Sequence, residues 1–351
     1  MDKQKVIISE HLTQSLTEAV AQCPHDKLFI LTDEHTRVLC LPLLESCPFF
    51  ADAIQITIPP TDCHKDIETL SQVWTILSNG GGTRHSLLVN LGGGMVTDLG
   101  GFAAATFKRG IPYINIPTTL LSMVDAAVGG KTGINFNGLK NEIGSFYPAR
   151  VVLLDTEFLK SLDDENIRSG YAEMLKHGLI STEKDWAELI CFDLNRIDYV
   201  ALRELVAKSV AVKERIVAED PFEKGIRKAL NFGHTAGHAF ESLALEEGHP
   251  RLHGYAVAWG MVCELYLSCL RTGFPKDKLR QTVQFIKETY GKFHFDCKQY
   301  DRLYEFMTHD KKNEGGLINF TLLGDVGDIR INQHADKQEI FDMLDFYRET
   351  M

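Results

Sequence analysis

Five short runs in the first half of the chain are rich in β-forming residues, and several are almost wholly apolar: Lys27–Leu31, Ile54–Ile58, Ser86–Leu91, Tyr113–Ile116 and Val151–Leu154. Each ends in a turn or glycine signal. The apolar runs suit strands of a parallel sheet covered on both faces. Longer mixed stretches lie between them. In Asp66–Leu77 the apolar positions recur at helical spacing. Strand and helix in alternation predict an open α/β sheet, whose ligands bind at the carboxyl ends of the strands. After about residue 160 the pattern changes. Glu165–Ile180, Asp198–Ala218, Gly254–Arg271, Asp277–Tyr290 and Gln338–Arg348 predict helices, and Leu317–Leu323 is the main β-rich run left. The expected architecture is an α/β protein. Residues 1–158 form a parallel-sheet domain and residues 159–351 a mainly α-helical one. A length of 351 residues agrees, since single cores stop growing near about 250–300 residues. No repeat or low-complexity linker separates the halves, so close packing around a cleft is expected.

Composition narrows the partners. The net charge of −11 argues against nucleic acid or an anionic membrane as a partner. An anionic small molecule would need basic residues gathered locally. The eight cysteines form no CxxC pair, so reduced thiols are expected rather than a disulfide framework or a zinc ribbon. The first residues, Met1–Ser9, hold too short an apolar run for a signal sequence. No run approaches the roughly 18 residues of a spanning helix. A cytoplasmic location is expected.

Candidate chemistry starts at Ser86–Phe102, which reads as a buried strand, a glycine turn and a helix start. Gly92, Gly93 and Gly94 would let the backbone approach a pyrophosphate, with the helix N–H groups aimed at it. Thr97 stands where a GxGxxG fingerprint has its third glycine, so a plain tight turn is the alternative. Asp98 would orient a ribose or simply favour the first helical turn. Thr118 and Thr119 follow the next strand. Gly129-Gly130-Lys131-Thr132 resembles a Walker A fragment, but Asp125 and Ala126 stand where its upstream glycine belongs. An ATP-type loop is rejected. Lys131 can still serve as an anion ligand, as can the neighbours Lys140 and Asn141, with solvated surface residues as the alternative for each lysine.

The second half carries a carboxylate–histidine set. Glu173 and Lys176 share one helix face. His234 and His238 are four apart, a spacing that lets two imidazoles share a metal, and His249 and His253 follow. Two ligand sets stay open: the pair His234 and His238, or one histidine from each element with Glu173. Two histidines and one carboxylate make a catalytic zinc set with open positions.

Taken together, Gly92–Asp98, Lys108–Gly110, Pro117–Leu121, Val128–Lys131, Lys140-Asn141, Glu173 with Lys176, Leu230–Thr235 with His238, and His253-Gly254 resemble the 3-dehydroquinate synthase family. The resemblance covers roughly residues 30–330. It implies a Rossmann-like first domain and a divalent metal, zinc or cobalt, on Glu173, His234 and His253. It implies NAD bound by Asp33, His35, Asp62, Lys65, Gly93, Gly94, Asp98, Thr118, Thr119, Asp125, Lys131, Lys140, Phe158 and Ser161. It places His238, Arg109, Lys131, Asn141, Lys176, Lys213, Arg227, Asn231 and Lys312 (rather than Lys311) around a sugar acid phosphate. The implied reaction takes 3-deoxy-D-arabino-heptulosonate 7-phosphate through transient oxidation, phosphate elimination, reduction and aldol closure. A homodimer is also implied. The chain departs from the family pattern at His35, Thr61, Asp62, Thr97, Ala126 and Ala127. Sibling cyclases acting on glucose 6-phosphate or sedoheptulose 7-phosphate, a polyol dehydrogenase, and a catalytically dead NAD-binding regulator are the rival readings.

Overall fold

The computed structural model describes residues 4–309 and 318–351; Lys311 and Lys312 lie outside the described residues. Contacts divide the chain into one unit of Met1–Asp163 with Asp198–Val210 and another of Asp164–Ile197 with Ala211–Met351.

The first unit runs β1 (Lys5–Ile8), α1 (Leu12–Ala21), β2 (Leu28–Asp33), α2 (Glu34–Leu39), β3 (Ile54–Ile58), α3 (Ile67–Asn79), β4 (Leu87–Gly92) and α4 (Gly94–Thr106). It continues through β5 (Tyr113–Pro117), β6 (Lys131–Phe136), β7 (Leu139–Phe146) and β8 (Val151–Leu154). Six strands form a sheet in the order β1-β8-β5-β4-β2-β3, and every pairing is parallel. The sheet is Rossmann-like. β4, β5 and β8 are buried along their whole length, which is why their sequences are mostly apolar; the polar exceptions Asn90 and Asn115 pair with each other, Asn90 Nδ2 donating to Asn115 Oδ1 at 2.9 Å. α4 sits close over β4. A Cβ on Gly100 would lie 2.1 Å from Asn90 Oδ1, and one on Gly101 would lie 2.6 Å from Thr132 Cγ2. Gly100 thus does the close helix–strand packing that the third glycine of a fingerprint would do.

The five predicted strands are all present. Two features differ from expectation. β1 is a sixth strand, only four residues long. The segment read as a polar loop turns at Lys131 into the antiparallel hairpin β6–β7. Its strands touch through glycine, because a Cβ on Gly144 would lie 2.1 Å from Thr132 O. Residues Leu139–Gly144 are exposed, so no burial period marks them as strand.

The second unit holds α5 (Asp164–Leu179), α6 (Glu183–Ile190), most of the later part of α7 (Tyr199–Glu219), α8 (His234–Glu246), α9 (His253–Arg271), α10 (Lys276–Tyr290) and α11 (Tyr300–Thr308). The antiparallel hairpin β9 (Asn319–Asp325) and β10 (Asp328–His334) follows, then α12 (Lys337–Thr350). It is mainly helical, as predicted. Among the described residues no helix is long and apolar enough to cross a membrane. All eight cysteines are free thiols.

Candidate active site

In a parallel sheet all carboxyl ends lie along one edge. β2 leads outward to β3 and β4 leads the other way through β5 to β8, so the order reverses between β2 and β4. Ligands bind such sheets at this reversal. Asp33 closes β2 and Gly93 follows β4 there. The Asp33 side chain caps α2 by accepting from the Thr36 N–H at 2.8 Å. Gly93 is the N-cap of α4 in extended conformation, so a first helical turn free of side-chain caps opens on this edge. Thr118 donates its N–H to Gly92 O at 3.0 Å. Thr119 hydrogen-bonds Ser122 through both hydroxyls. Phe158 and Ser161 lie on a short helical turn after β8. The buried Cys40 thiol lies within reach of three of these residues. Burial and the Asp33 carboxylate push it up to about 11, against hydrogen bonds with Ser161 and Thr118. His35 is exposed on α2.

Beyond β3, Lys65 is 4% exposed. Its Nζ donates to Asp98 Oδ2 and Asn141 Oδ1, each at 2.5 Å. Burial pushes the Asp98 carboxyl up and the Lys65 ammonium pulls it back; the charges of Asp125 and Asp62 add to the rise. Asp62 is 3.9 Å from Lys140, and its carbonyl accepts from Asn135 Nδ2 at 2.8 Å. The loop before α3 thus docks on the β6–β7 hairpin and gathers Asp62, Lys65, Asp98, Lys140 and Asn141. Asp125 lies on a π-turn, Ser122–Ala126. Lys131 is exposed at the start of β6. Arg109 ends α4's extension with φ +69°.

In the second unit three helices converge. Glu173 on α5 is fully buried. Its Oε2 accepts from Lys176 Nζ, one turn on. Its Oε1 is buried and has no hydrogen-bonded partner. Instead it faces His234 Nε2 at 3.5 Å and His253 Nε2 at 3.4 Å. Each histidine is the first residue of its helix, α8 or α9. The other ring nitrogens are engaged: His234 Nδ1 with Phe232 O at 3.1 Å, His253 Nδ1 with Glu241 Oε2 at 3.2 Å. With Nδ1 as the donor in each ring, both Nε2 lone pairs would face Oε1, the arrangement of metal-bound histidines. Around a tetrahedral ion with ligand bonds of about 2.0–2.1 Å, donor atoms sit roughly 3.3 Å apart. The measured separations fit. Burial alone would raise the Glu173 carboxyl; the charges of Lys176 and His253 outweigh it and hold Glu173 well below the usual carboxylate range. Burial alone would lower the His253 imidazole; the carboxylates of Glu173 and Glu241 beside it outweigh this and raise it.

Close helix crossings hold this geometry. A Cβ on Gly254 would lie 1.8 Å from Ser169 O of α5, and one on Gly237 would lie 2.9 Å from Ala256 O. His238 belongs to a second group that could hold a metal, with Glu241 and His253; its ring centroid is 5.3 Å from that of His234.

Two family models match in sequence order, 3-dehydroquinate synthase N-terminal over residues 55–169 and 3-dehydroquinate synthase C-terminal over residues 170–313. The chain belongs to the 3-dehydroquinate synthase family. A 3-dehydroquinate synthase of Parabacteroides distasonis is 60% identical, over 100% of this chain and 99% of that one. One from Streptococcus pyogenes is 35% identical, over 97% and 95%. The solved 2-epi-5-epi-valiolone synthase of Streptomyces hygroscopicus, with NAD+ and Zn2+ bound, superposes with a TM-score of 0.88 at 26% identity, over 99% of this chain and 98% of that one. A 2-deoxy-scyllo-inosose synthase complexed with carbaglucose-6-phosphate, NAD+ and Co2+ shares the fold, with a TM-score of 0.85 at 22% identity over 99% and 97%.

The cations expected around an anionic substrate divide between the units. Lys176, Lys213 and Arg227 are buried in the second, and Arg109 and Lys131 belong to the first. Asp220 accepts from the N–H groups of Lys224, Gly225 and Arg227 and so fixes the loop carrying Arg227. Arg227 Nη1 donates to Pro221 O at 2.6 Å. Asn231 Nδ2 donates to Glu223 Oε1 at 2.8 Å. Lys312 lies outside the described residues. Sequence reasoning missed Glu241, although a carboxylate one turn after His238 was a usable signal. Thr61, where the family has glycine, keeps a glycine-like backbone at φ +78° and ψ 153°.

Proposed function

We propose that this chain converts 3-deoxy-D-arabino-heptulosonate 7-phosphate into 3-dehydroquinate and phosphate, as a lyase-class cyclase dependent on NAD and a divalent metal. The observation that carries the proposal is the convergence of Glu173 Oε1, His234 Nε2 and His253 Nε2 at ligand spacing. Glu173, His234 and His253 would hold zinc or cobalt, which supplies Lewis acidity at the substrate's oxygens. NAD, once held by the residues named below, would supply reversible hydride acceptance at the substrate's secondary alcohol, with no net redox change over the cycle.

The chain's own groups do the rest. Lys176 occupies Glu173 Oε2, so only Oε1 is offered as a ligand. His238 stands beside the two ligand imidazoles as a polar contact for the substrate. Asp33, His35, Asp62, Lys65, Gly93, Gly94, Asp98, Thr118, Thr119, Asp125, Lys131, Lys140, Phe158 and Ser161 hold NAD. Arg109, Lys131, Asn141, Lys176, Lys213, Arg227, Asn231 and Lys312 bind the phosphate, hydroxyls and carboxylate of a substrate with roughly three negative charges. Arginine suits the planar carboxylate, and lysine acts as a point charge for phosphate. Holding the reacting carbons of one molecule in place makes elimination and ring closure unimolecular. The proposed NAD residues fall in the unit of Met1–Asp163 with Asp198–Val210, and the proposed metal ligands in that of Asp164–Ile197 with Ala211–Met351. The active form is a homodimer in the cytoplasm, which sedimentation equilibrium and cell fractionation would check.

The test is phosphate release from this substrate with catalytic NAD+ and zinc, with absorbance at 340 nm followed in parallel. Stoichiometric phosphate without accumulating NADH, abolished by a chelator, is expected. Turnover of glucose 6-phosphate or sedoheptulose 7-phosphate instead would move the chain to a sibling cyclase. Steady NADH growth on a polyol would overturn the reaction type.

A further inference from the structure

Glu264 is fully buried on α9, and nothing in the proposed chemistry uses it. Its carboxylate is spent on the start of another helix. Oε2 accepts from Gly233 N–H at 2.6 Å, and Oε1 accepts from Thr235 N–H at 2.9 Å and Ala236 N–H at 3.2 Å. Those groups flank His234, the first residue of α8. The N-cap of α8 is Gly233, in left-handed conformation and with no side chain to cap its own helix. The cap therefore comes from α9. Gly260, one turn before Glu264 and on the same face, makes the approach possible. A Cβ there would lie 2.0 Å from Gly233 O and 2.6 Å from Gly237 N. The positive end of α8 and three N–H donors compensate a buried carboxylate.

α9 also begins with His253. Glu264 thus ties the backbone on both sides of one candidate ligand to the helix that carries the other. We propose that Glu264 is a positioning residue of the metal centre: it fixes where His234 stands relative to His253. This inference rests on the reading of Glu173, His234 and His253 as ligands.

The experiment measures zinc affinity by chelator competition in wild type, Glu264→Gln, Ser268→Ala and His253→Ala. Glutamine keeps the shape but offers one acceptor oxygen and turns an NH2 towards backbone N–H groups. Outer partners of metal ligands are worth roughly 10–100-fold in affinity, and Glu264→Gln is expected to weaken zinc by that factor. Ser268 is buried one turn further along α9, where its Oγ donates to Glu264 O at 2.7 Å and accepts from Leu323 N–H at 3.0 Å. Ser268→Ala should lower thermal stability while keeping wild-type zinc affinity. Equal weakening in Ser268→Ala would reduce Glu264 to general stability and overturn the proposal. Wild-type zinc affinity in Glu264→Gln, with affinity lost in His253→Ala, would overturn it and leave the ligand set standing. Retained affinity in His253→Ala would remove the ligand set itself. A measurement on the wild type guards against a variant that does not fold: the amides of Gly233, Thr235 and Ala236 should exchange slowly with metal chelated. Rapid exchange there would overturn the proposal.

Discussion

Two single residues carry strain or charge that a substitution can expose. Thr61 holds φ +78° and ψ 153°, a region essentially reserved for glycine that costs other residues about 1–3 kcal/mol. Its hydroxyl contacts the exposed Cys63 thiol at 2.8 Å, a small loss if removed. Thr61→Gly should therefore raise the melting temperature, even after glycine's entropic cost of roughly 0.5–1 kcal/mol. A lower melting temperature would mean that the loop does not keep this backbone. Lys176 is the opposite case. Its ammonium neutralises a carboxylate that is fully buried, and removing one partner of a buried pair costs about 3–5 kcal/mol. Lys176→Ala should be destabilised by that order with metal chelated, and partly restored by saturating zinc, which replaces the lost positive charge. The sign of the pH effect follows from Glu173. Its folded carboxyl is held below the ordinary value near about 4.3, so it adds stability above that value, and the gain fades as pH falls towards the folded one. Without Lys176 much of that depression disappears, and acid unfolding of the chelated protein should move to higher pH. Unchanged acid and thermal midpoints would show that Lys176 does not carry the charge of Glu173.

At the scale of elements, the centre depends on helices that approach through glycine. Gly254 lies so near Ser169 O that a methyl group has no room, and overpacking of this kind costs roughly 1–3 kcal/mol or more. Gly254→Ala should lower both the melting temperature and zinc content, because the residue next to it is His253. Loss of stability with full zinc occupancy would separate the crossing from the metal centre. The same scale explains what the sequence made legible. The central strands could be read because both faces of Leu87–Gly92 and its neighbours are buried, which leaves them mostly apolar. The β6–β7 hairpin could not, since Leu139 and Ile143 are exposed and its glycines signal turns. Helical spacing brought His234 and His238 together, and both do stand on α8. It had no means of choosing His253, because that choice depends on α9 lying against α8 and α5. Family resemblance supplied that ligand set ahead of the structure. Glu241 and Glu264 escaped for the same reason: each acts across a helix pair, on a backbone or ring that sequence distance does not connect.

At the scale of the whole chain, the two units bear different chemistry, and ligand binding should reveal them separately. A ligand that binds only the folded state stabilises it by about 2.7 kcal/mol at one hundred times its dissociation constant. The proposed metal ligands on α5, α8 and α9 all belong to the second unit, and the residues proposed for NAD all belong to the first. Hydrogen exchange resolves stability by region. Zinc should slow exchange most in the first turns of α8 and α9 and around Glu173, and NAD should slow it after β2, β4 and β5. An ion at Glu173 Oε1 would add a tie between three helix segments, whereas a dinucleotide at the sheet edge would order the Gly93 turn and the loop around Asp62. If zinc alone slowed exchange equally along β4 and β5, the metal's effect would not be confined to the helices that hold its ligands. If NAD protected α8 and left the Gly93 turn unchanged, the cofactor edge would have to be reassigned. Protection that divides as argued would tie each cofactor to the unit whose strand ends or helix starts were built to receive it.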